Sequence, residues 1–199
     1  MKLLKKTIGH AYLKAAGWKA VGEPPDAPAY VLIAAPHTSN WDLPFMLAIA
    51  YVLDVEIRWA GKHTLFAFPY GPFMKALGGI PIVREKRSNK VQQLAGLFAK
   101  HEGLKLTVPA EGTRGRTERW KSGFYWIARE AGVPIVCGFL DFAKKEGGFG
   151  LAVMPTGNVK EDMDQIRAFY ADKVGKFPEK FGPVRLREEG EDDAGATAA

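Results

Sequence analysis

Cysteine and long apolar runs are both scarce in this chain. A single thiol, Cys137, stands among 199 residues, which excludes an internal disulfide framework and a zinc site built from cysteines. This usage favours a reducing, cytoplasmic setting, and Cys137, in an apolar strand pattern, is expected to be an inert core residue. No stretch reaches the ~18 apolar residues of a membrane-spanning helix, and the N-terminus lacks the apolar core of a secretory signal. The length suits one domain.

Acidic residues are fewer than basic ones, and the imbalance is larger than the net charge of +6 suggests. Five of the 22 acidic side chains lie in residues 188–199, which contain no Lys or Arg. The rest of the chain carries 28 basic and 17 acidic side chains, a net charge of +11. This charge favours an anionic partner: a phosphorylated substrate, a membrane surface, nucleic acid or an acidic carrier protein. The composition of residues 188–199 predicts a disordered tail.

The first 21 residues have the pattern of an amphipathic helix. Apolar residues recur at helical spacing from Leu4 to Trp18, and lysines lie largely elsewhere around the helix. Such a helix either lies in a membrane interface or packs on the domain as an ordinary surface helix. We therefore expect an N-terminal helix (residues 1–21), one domain (residues 22–187) and the acidic tail.

Strands and helices alternate along the domain. Short apolar runs predict four strands, at residues 30–35, 56–60, 80–84 and 104–108. Helical patterns lie between and after them, including residues 88–100 and 162–174. Two further runs, residues 134–142 and 149–154, flank a Gly-Gly turn and predict a hairpin. The expected fold class is α/β, with a mainly parallel central sheet, a late antiparallel hairpin, flanking helices and the N-terminal amphipathic helix.

The segment from His37 to Asp42 is the first candidate for chemistry. It follows the strand at residues 30–35, which Pro36 ends. On a continuous helix the two side chains would diverge by ~140°, so a general base and its orienting acid at this spacing require a loop. Asp42 and Pro44 predict a helix start, with Asp42 as its cap. His37 and Asp42 are therefore expected at the carboxyl end of a strand, where open α/β sheets bind ligands.

Two other predicted strands lead into chemically similar residues. Arg84 closes the third strand, and Glu111 and Arg114 follow the fourth. Because the carboxyl ends of parallel strands share one edge of a sheet, these side chains are expected to converge on His37. Convergence would combine a base and its acid, two guanidinium groups suited to phosphate, and a further carboxylate. A metal site at His37 is disfavoured, since no second histidine stands at ligand spacing.

Four blocks of the sequence resemble, in order, the motifs of the glycerolipid acyltransferase family, whose best-known members are the lysophosphatidic acid acyltransferases. The first block is similar to the family's His-x-x-x-x-Asp motif, the second ends in an arginine, the third reads Glu-Gly-Thr-Arg, and the fourth reads Val-Pro-Ile-Val. They are residues 37–42, 79–84, 111–114 and 133–136. Ala110 stands where the family usually has a proline, and Pro109 comes one place earlier.

The resemblance implies an O-acyltransferase that moves a fatty acyl group from acyl-CoA or acyl carrier protein to a hydroxyl of lysophosphatidate, giving phosphatidate. His37 would be the general base and Asp42 its orienting partner. The implied substrate-binding residues are Arg84, Glu111, Gly112, Thr113 and Arg114. No cofactor is expected, because the acyl thioester is itself a substrate, and no metal is expected either. The alternatives are the same chemistry on another acceptor (another lysolipid, glycerol 3-phosphate, or a sugar- or amino-acid-bearing lipid) and a non-catalytic lipid-binding module.

A lipid substrate also implies a location. We expect a peripheral protein on the cytoplasmic face of the membrane, in contact with it through the N-terminal helix and a basic face. Arg116, Arg119 and Lys121 either extend this face towards headgroups or an acidic carrier, or are simply solvated. Nucleic acid is not an expected partner, because no recognition motif is present.

Two features between the second and third predicted strands have open interpretations. Lys62 and His63 either line the cleft or belong to a solvated loop. Five large apolar side chains form either a wall for an acyl chain or part of the core: Phe66, Phe68, Tyr70, Phe73 and Met74.

Overall fold

The computed structural model describes residues 2–82 and 90–190, and within these residues it contains six α-helices and seven β-strands. The helices are α1 (Lys2–Ala16), α2 (Asp42–Val52), α3 (Gly71–Ala76), α4 (Lys90–Lys100), α5 (Gly123–Ala131) and α6 (Val159–Tyr170). The strands are β1 (Lys19–Val21), β2 (Tyr30–Ala35), β3 (Arg58–Lys62), β4 (Gly79–Ile82), β5 (Lys105–Val108), β6 (Ile135–Asp141) and β7 (Glu146–Val153). Short 3-10 helices span His63–Phe66, Pro178–Lys180 and Arg187–Glu189.

The strands form one sheet in the order β1-β7-β6-β2-β5-β3-β4. Only the β6–β7 pair, the predicted hairpin, is antiparallel among the pairs that the structure describes. The predicted fold class is therefore confirmed. The carboxyl ends of β2, β3, β4 and β5 lie on the same edge of the sheet, and the loops after β2 and β5 carry the candidate site residues.

Strand β2 is apolar throughout because both of its faces are covered. Val31 and Ile33 pack into the core on the side of α4, α5 and α6, whereas Tyr30 and Leu32 pack on the side of α2. This alternation has the two-residue period of a strand. Cys137 on neighbouring β6 is fully buried, and burial raises the pKa of its thiol to about 12, which makes it unreactive as a nucleophile.

The N-terminal segment differs from the helix predicted over residues 1–21. Helix α1 ends at Ala16, where Trp18 N–H donates to the Leu13 carbonyl and Gly17 N–H to that of Lys14. These bonds close the end of a helix before a change of direction. Lys19–Val21 then forms the edge strand β1, parallel to β7. A three-residue strand is too short to show an apolar pattern, so the sequence did not predict it.

Helix α1 packs closely on α2 and still exposes apolar side chains. Gly9 and Leu13 are buried, and a Cβ at Gly9 would lie 2.7 Å from the Ala48 carbonyl oxygen, so only glycine permits this approach. Leu4 and Ile8 are exposed. Within the described ranges, no helix is long and apolar enough to cross a membrane.

Several predicted boundaries shift by a few residues, and some predictions lie outside the described residues. The strand predicted at residues 56–60 is observed as β3, two residues later, and the last predicted helix begins three residues earlier, as α6. Arg84 and residues 191–199 of the predicted tail lie outside the described residues. Glu189, near the start of that tail, pairs with Arg167. The division into helix, domain and tail stays a prediction.

Candidate active site

The loop between β2 and α2 holds His37 and Asp42 against each other. His37 Nδ1 lies 3.1 Å from Asp42 Oδ2, which also accepts a hydrogen bond from the Ser39 N–H at 3.0 Å. The prediction that Asp42 caps α2 is wrong: the helix begins at Asp42 itself, and the preceding residue, Trp41, makes no side-chain cap. The carboxylate instead turns back towards the loop, because the Ser39 amide and the imidazole both lie there.

This arrangement leaves one ring nitrogen of His37 for a reaction partner. Its Nδ1 faces the carboxylate of Asp42, so Nε2 is the nitrogen that can exchange a proton with a ligand. The imidazole is 24% exposed and lines a cavity, whereas Asp42 is buried. Such a pair can act as a general base with an orienting acid. Among residues 2–82 and 90–190, no three His, Cys, Asp or Glu side chains form a group that could hold a metal ion.

Glu111 lies directly behind His37. Its side chain is fully buried, and Oε1 accepts a hydrogen bond from the backbone N–H of His37 at 2.5 Å. Burial raises the pKa of Glu111 to about 7, although the bond from His37 opposes the shift. Oε2 has no hydrogen-bond partner within the described part of the chain. The carboxylate therefore contacts the loop that carries His37 and does not reach the surface of the cavity.

The turn after β5 explains why Glu111 points inwards. Gly112 N–H donates to the Pro109 carbonyl at 3.1 Å, and Gly112 has φ +69, a conformation that favours glycine. Ala110, which stands where the family usually has a proline, is fully buried in the core. Its carbonyl accepts from the Lys121 N–H at 2.8 Å. The chain thus buries two consecutive side chains, Ala110 and Glu111, before it returns to the surface.

Arg114 links this turn to the loop of His37. Its guanidinium donates to Asn40 Oδ1, so the loops after β2 and β5 contact each other at two places. Gly112, Thr113 and Arg114 are exposed and line the same cavity as His37. The structure therefore brings six of the seven predicted site residues together. The seventh, Arg84, lies outside the described residues.

A cavity of about 930 Å³ extends inwards from His37. Apolar side chains of α2, of the sheet and of the connection before β3 line its interior, among them Leu32, Met46, Ile57 and Phe149. Polar and charged side chains lie at its mouth, including His37 and Arg114. Its volume and lining are typical of a site for a ligand with a long apolar part and a polar end.

Of the residues from the end of β3 to α3 whose roles the sequence left open, some line the cavity and others are exposed at the surface. Lys62 and Met74 line the cavity, whereas His63 is exposed and is not part of the lining described here. Phe66 packs on Trp59, with 5.8 Å between the ring centroids. The remaining three, Phe68, Tyr70 and Phe73, are exposed, and within the described residues they belong neither to the core nor to the cavity wall.

A C-terminal segment reaches the site without any signal in the sequence. Thr38 is buried, and its Oγ1 accepts a hydrogen bond from the Phe177 N–H at 3.2 Å. Lys180, from the same segment, lines the cavity. The two ends of this hydrogen bond are 139 positions apart, so no local motif or spacing could have paired them.

Comparisons with known proteins fit this geometry. A family model described as Acyltransferase matches residues 22–138, more than half of the chain. The fold is similar to the crystal structure of the 1-acyl-sn-glycerophosphate (LPA) acyltransferase PlsC from Thermotoga maritima, with a TM-score of 0.57 and 15% identity over 86% of this chain and 75% of that one. No curated protein matches the chain. The predicted family is confirmed: the chain belongs to the acyltransferase family.

Proposed function

We propose that this protein transfers a fatty acyl group from an acyl thioester to a hydroxyl of lysophosphatidate, giving phosphatidate. The contact between His37 and Asp42 beside a large apolar cavity carries the proposal. Membership of the acyltransferase family supports the reaction type. The acceptor is proposed by analogy with the Thermotoga maritima enzyme, which acts on 1-acyl-sn-glycerophosphate according to its name.

In the proposed reaction, His37 acts as the general base. Nε2 of the neutral imidazole takes the proton of the acceptor hydroxyl, whose oxygen attacks the carbonyl carbon of the thioester. Collapse of the tetrahedral intermediate breaks the C–S bond, and the leaving thiolate takes the proton from the imidazolium. Asp42 holds the imidazole in the productive tautomer and stabilises its positive charge during the reaction. No acyl-enzyme is required.

The acceptor phosphate would bind among the cations at the cavity mouth. Arg114 can pair with two phosphate oxygens, and Lys62 and Lys180 line the same cavity. Arg84, which the sequence motif assigns to the same role, remains part of the proposal. Gly112 and Thr113 would contact the acceptor beside Arg114.

Glu111 was predicted to position the acceptor directly, and its full burial favours an indirect role. Its hydrogen bond to the His37 backbone ties the loop of the base to β5. We therefore propose that Glu111 sets the position of His37 relative to the acceptor. Direct contact with the acceptor stays an untested prediction.

Donor and membrane contacts complete the proposal. Acyl-CoA and acyl carrier protein are both anionic and suit a chain body with a net charge of +11, so either could be the donor. No cofactor is needed, because the thioester supplies the acyl group. The exposed Leu4 and Ile8 of α1, with lysines on the same helix, favour peripheral binding at the cytoplasmic face of a membrane. Arg116, Arg119 and Lys121 would extend the basic face.

The decisive experiment is mass spectrometry of the products formed from a mixture of acceptors and acyl donors, with thiol release measured in parallel. The wild type is expected to form phosphatidate, and the His37→Ala variant to form ~10²–10⁴-fold less per unit time. His101→Ala, which alters an exposed histidine in the α4–β5 connection, is the matched control. Acylation of a different acceptor would support the proposed acyl transfer and show that lysophosphatidate is not the substrate. Absence of thiol release with every donor would favour a lipid-binding module.

A further inference from the structure

We propose that residues 65–73, here called the aromatic segment, insert into the interface of an anionic phospholipid bilayer and join the cavity to the lipid phase. The inference rests on the proposed function, because it assigns a route by which a lipid substrate reaches His37. The aromatic segment would be a second membrane contact, in addition to that of α1. The proposed binding partner of the segment is a lipid surface. The test also distinguishes binding to a protein and binding to a second copy of the chain.

Large apolar side chains of the aromatic segment are exposed to solvent to an unusual extent. Phe68 is 92% exposed, and Tyr70 and Phe73 are exposed by more than half. Leu65 is 49% exposed at the start of the segment. Aromatic and leucine side chains grouped in this way on a soluble surface mark a contact with a partner or a membrane.

A hydrogen-bonded scaffold presents these side chains. Gly71 N–H donates to the Ala67 carbonyl at 2.9 Å, and Met74 N–H donates to the Tyr70 carbonyl at 3.0 Å. Beneath them Phe66 stacks on Trp59 of β3. The backbone is therefore fixed by its own bonds and by one inward-facing aromatic ring, and the neighbouring aromatic rings are held outwards.

The charge around the aromatic segment favours an anionic surface. The sequence contains no Asp or Glu between Glu56 and Glu85. Lys62 and Lys75, on either side of the segment, are exposed. Aromatic side chains beside lysines, without acids, are typical of elements that lie at the headgroup level of anionic membranes.

The position of the aromatic segment relative to the cavity favours a lipid surface over an unrelated partner. Leu65 at the start of the segment lines the cavity that contains His37, as do Thr64 directly before the segment and Met74 directly after it. A bilayer in contact with Phe68 and Phe73 would therefore adjoin the cavity lining. A lipid acyl chain could then enter without crossing water, which avoids the cost of exposing its apolar surface.

Helix α1 and the end of α3, which follows the aromatic segment, border one groove. A shallow pocket is lined by Lys2 and Lys5 of α1 and by Ala76 and Leu77 at the end of α3. The exposed Leu3 and Leu4 of α1 are close in sequence to one side of this groove, and Phe73 is close to the other. The start of α1 therefore lies near the stretch of chain that follows the aromatic segment, and Lys2 there pairs with Asp54 of the same groove.

The single buried cysteine permits a direct test on the full chain. Cys137 is inaccessible, so an environment-sensitive fluorophore can be attached selectively to a Phe68→Cys variant. Met154→Cys, at an exposed apolar residue after β7, is the matched control. On vesicles of phosphatidylcholine and phosphatidylglycerol, the label at position 68 is expected to move into an apolar environment, and the label at position 154 to stay in water.

Partitioning onto the same vesicles gives the second readout. Phe68→Ser combined with Phe73→Ser is expected to weaken binding by roughly tenfold for each ring that loses contact with lipid, whereas Met154→Ser leaves it unchanged. A label at position 68 that stays in water while the protein binds vesicles overturns the proposal. So does a label that responds only to acyl carrier protein, or only to a rise in protein concentration.

These readouts need no substrate, so they separate the inference from the proposed function. If acyl transfer fails with every acceptor but the label enters vesicles, the membrane contact stands and the reaction is wrong. If the label stays in water but a short-chain, monomeric lysolipid is acylated at the wild-type rate, the reaction stands and the insertion is wrong.

Discussion

The loop at residues 37–42 and the aromatic segment lie beside the same cavity and are built in opposite ways. In the loop, polar groups are buried: Thr38, Ser39 and Asp42 are all shielded from solvent and hold hydrogen bonds. In the aromatic segment, apolar groups are exposed. Buried polar groups require partners, so the loop has a defined geometry. Exposed aromatic rings stabilise the fold little.

Because the two regions are built differently, different measurements report on them. Substitutions in the loop are expected to change turnover or the free energy of unfolding, because the buried contacts there position His37. Substitutions of Phe68 or Phe73 are expected to change membrane binding, with the free energy of unfolding within about 0.5 kcal/mol of the wild type.

Asp42→Asn is expected to have the largest effect, a loss of ~10²–10⁴ in kcat. Oδ2 of Asp42 contacts both the Ser39 N–H and His37 Nδ1, so an amide oxygen at that place keeps both contacts but loses the negative charge that stabilises the imidazolium. An amide nitrogen at that place would lose the Ser39 bond and donate to Nδ1, which favours the tautomer that carries a proton on Nε2 and cannot act as a base. Thiol release at saturating donor and acceptor measures the change, and near-normal turnover would contradict the role of Asp42.

Glu111→Gln is expected to alter how stability depends on pH. The carboxyl pKa rises from 4.5 to about 7 in the folded protein, so the folded chain binds a proton more tightly than the unfolded chain. The wild type should therefore lose stability as pH increases from 4.5 to about 7, by on the order of 3 kcal/mol. Glutamine does not titrate and should remove this loss, while its oxygen still accepts from the His37 N–H.

Urea denaturation of both proteins across this pH range tests the prediction. His37, Asp42 and Tyr170 interact electrostatically with Glu111 or its neighbours, and they are present in both proteins, so the difference between the two curves isolates the carboxyl group to a first approximation. Parallel curves would show that Glu111 is already ionised in the folded protein at acid pH. The contact between His37 and the buried Glu111 would then be held by charge as well as by the hydrogen bond.

The sequence predicted the parts of this site that depend on local pattern. Strand β2 was recognisable because a central strand with two covered faces is apolar throughout. The contact between the loops after β2 and β5 was predictable because the carboxyl ends of parallel strands share one edge of a sheet. The burial of Glu111 was not predictable, because it depends on how the backbone turns between Pro109 and Gly112. A carboxylate after a strand looks the same in sequence whether it points inwards or outwards.

Long-range and very short features escaped prediction for other reasons. The bond between Thr38 and Phe177 joins residues that are far apart in sequence, and nothing near either residue specifies the partner. Strand β1 is held by pairing with β7 and has too few residues for a period-two pattern. The exposed rings of the aromatic segment were ambiguous, because apolar residues in sequence fit a core, a cavity wall or a membrane contact equally well.

Arg114→Lys is expected to raise the KM for the acceptor by about tenfold, with a smaller effect on kcat. Lysine keeps the charge but loses the planar fork that binds two phosphate oxygens, and it also loses the geometry of the bond to Asn40. Arg129→Lys, on α5 beside Trp126, is the control for an arginine outside the cavity lining described here. An unchanged acceptor KM would show that the phosphate binds elsewhere.

Thr38→Val should have the smallest effect of these substitutions, a small loss of folding stability. It compares the stability contribution of the loop at residues 37–42 with that of the aromatic segment. Valine has nearly the same shape but cannot accept from the Phe177 N–H, so the free energy of unfolding is expected to fall by about 1 kcal/mol. Thr38→Ser keeps the acceptor and should largely retain the wild-type value. Phe68→Ser removes a far larger side chain from the aromatic segment and should cost less than Thr38→Val, because Phe68 is 92% exposed. If Phe68→Ser were the more destabilising of the two, the aromatic segment would contribute to the fold, and its exposure could no longer be attributed to a membrane partner.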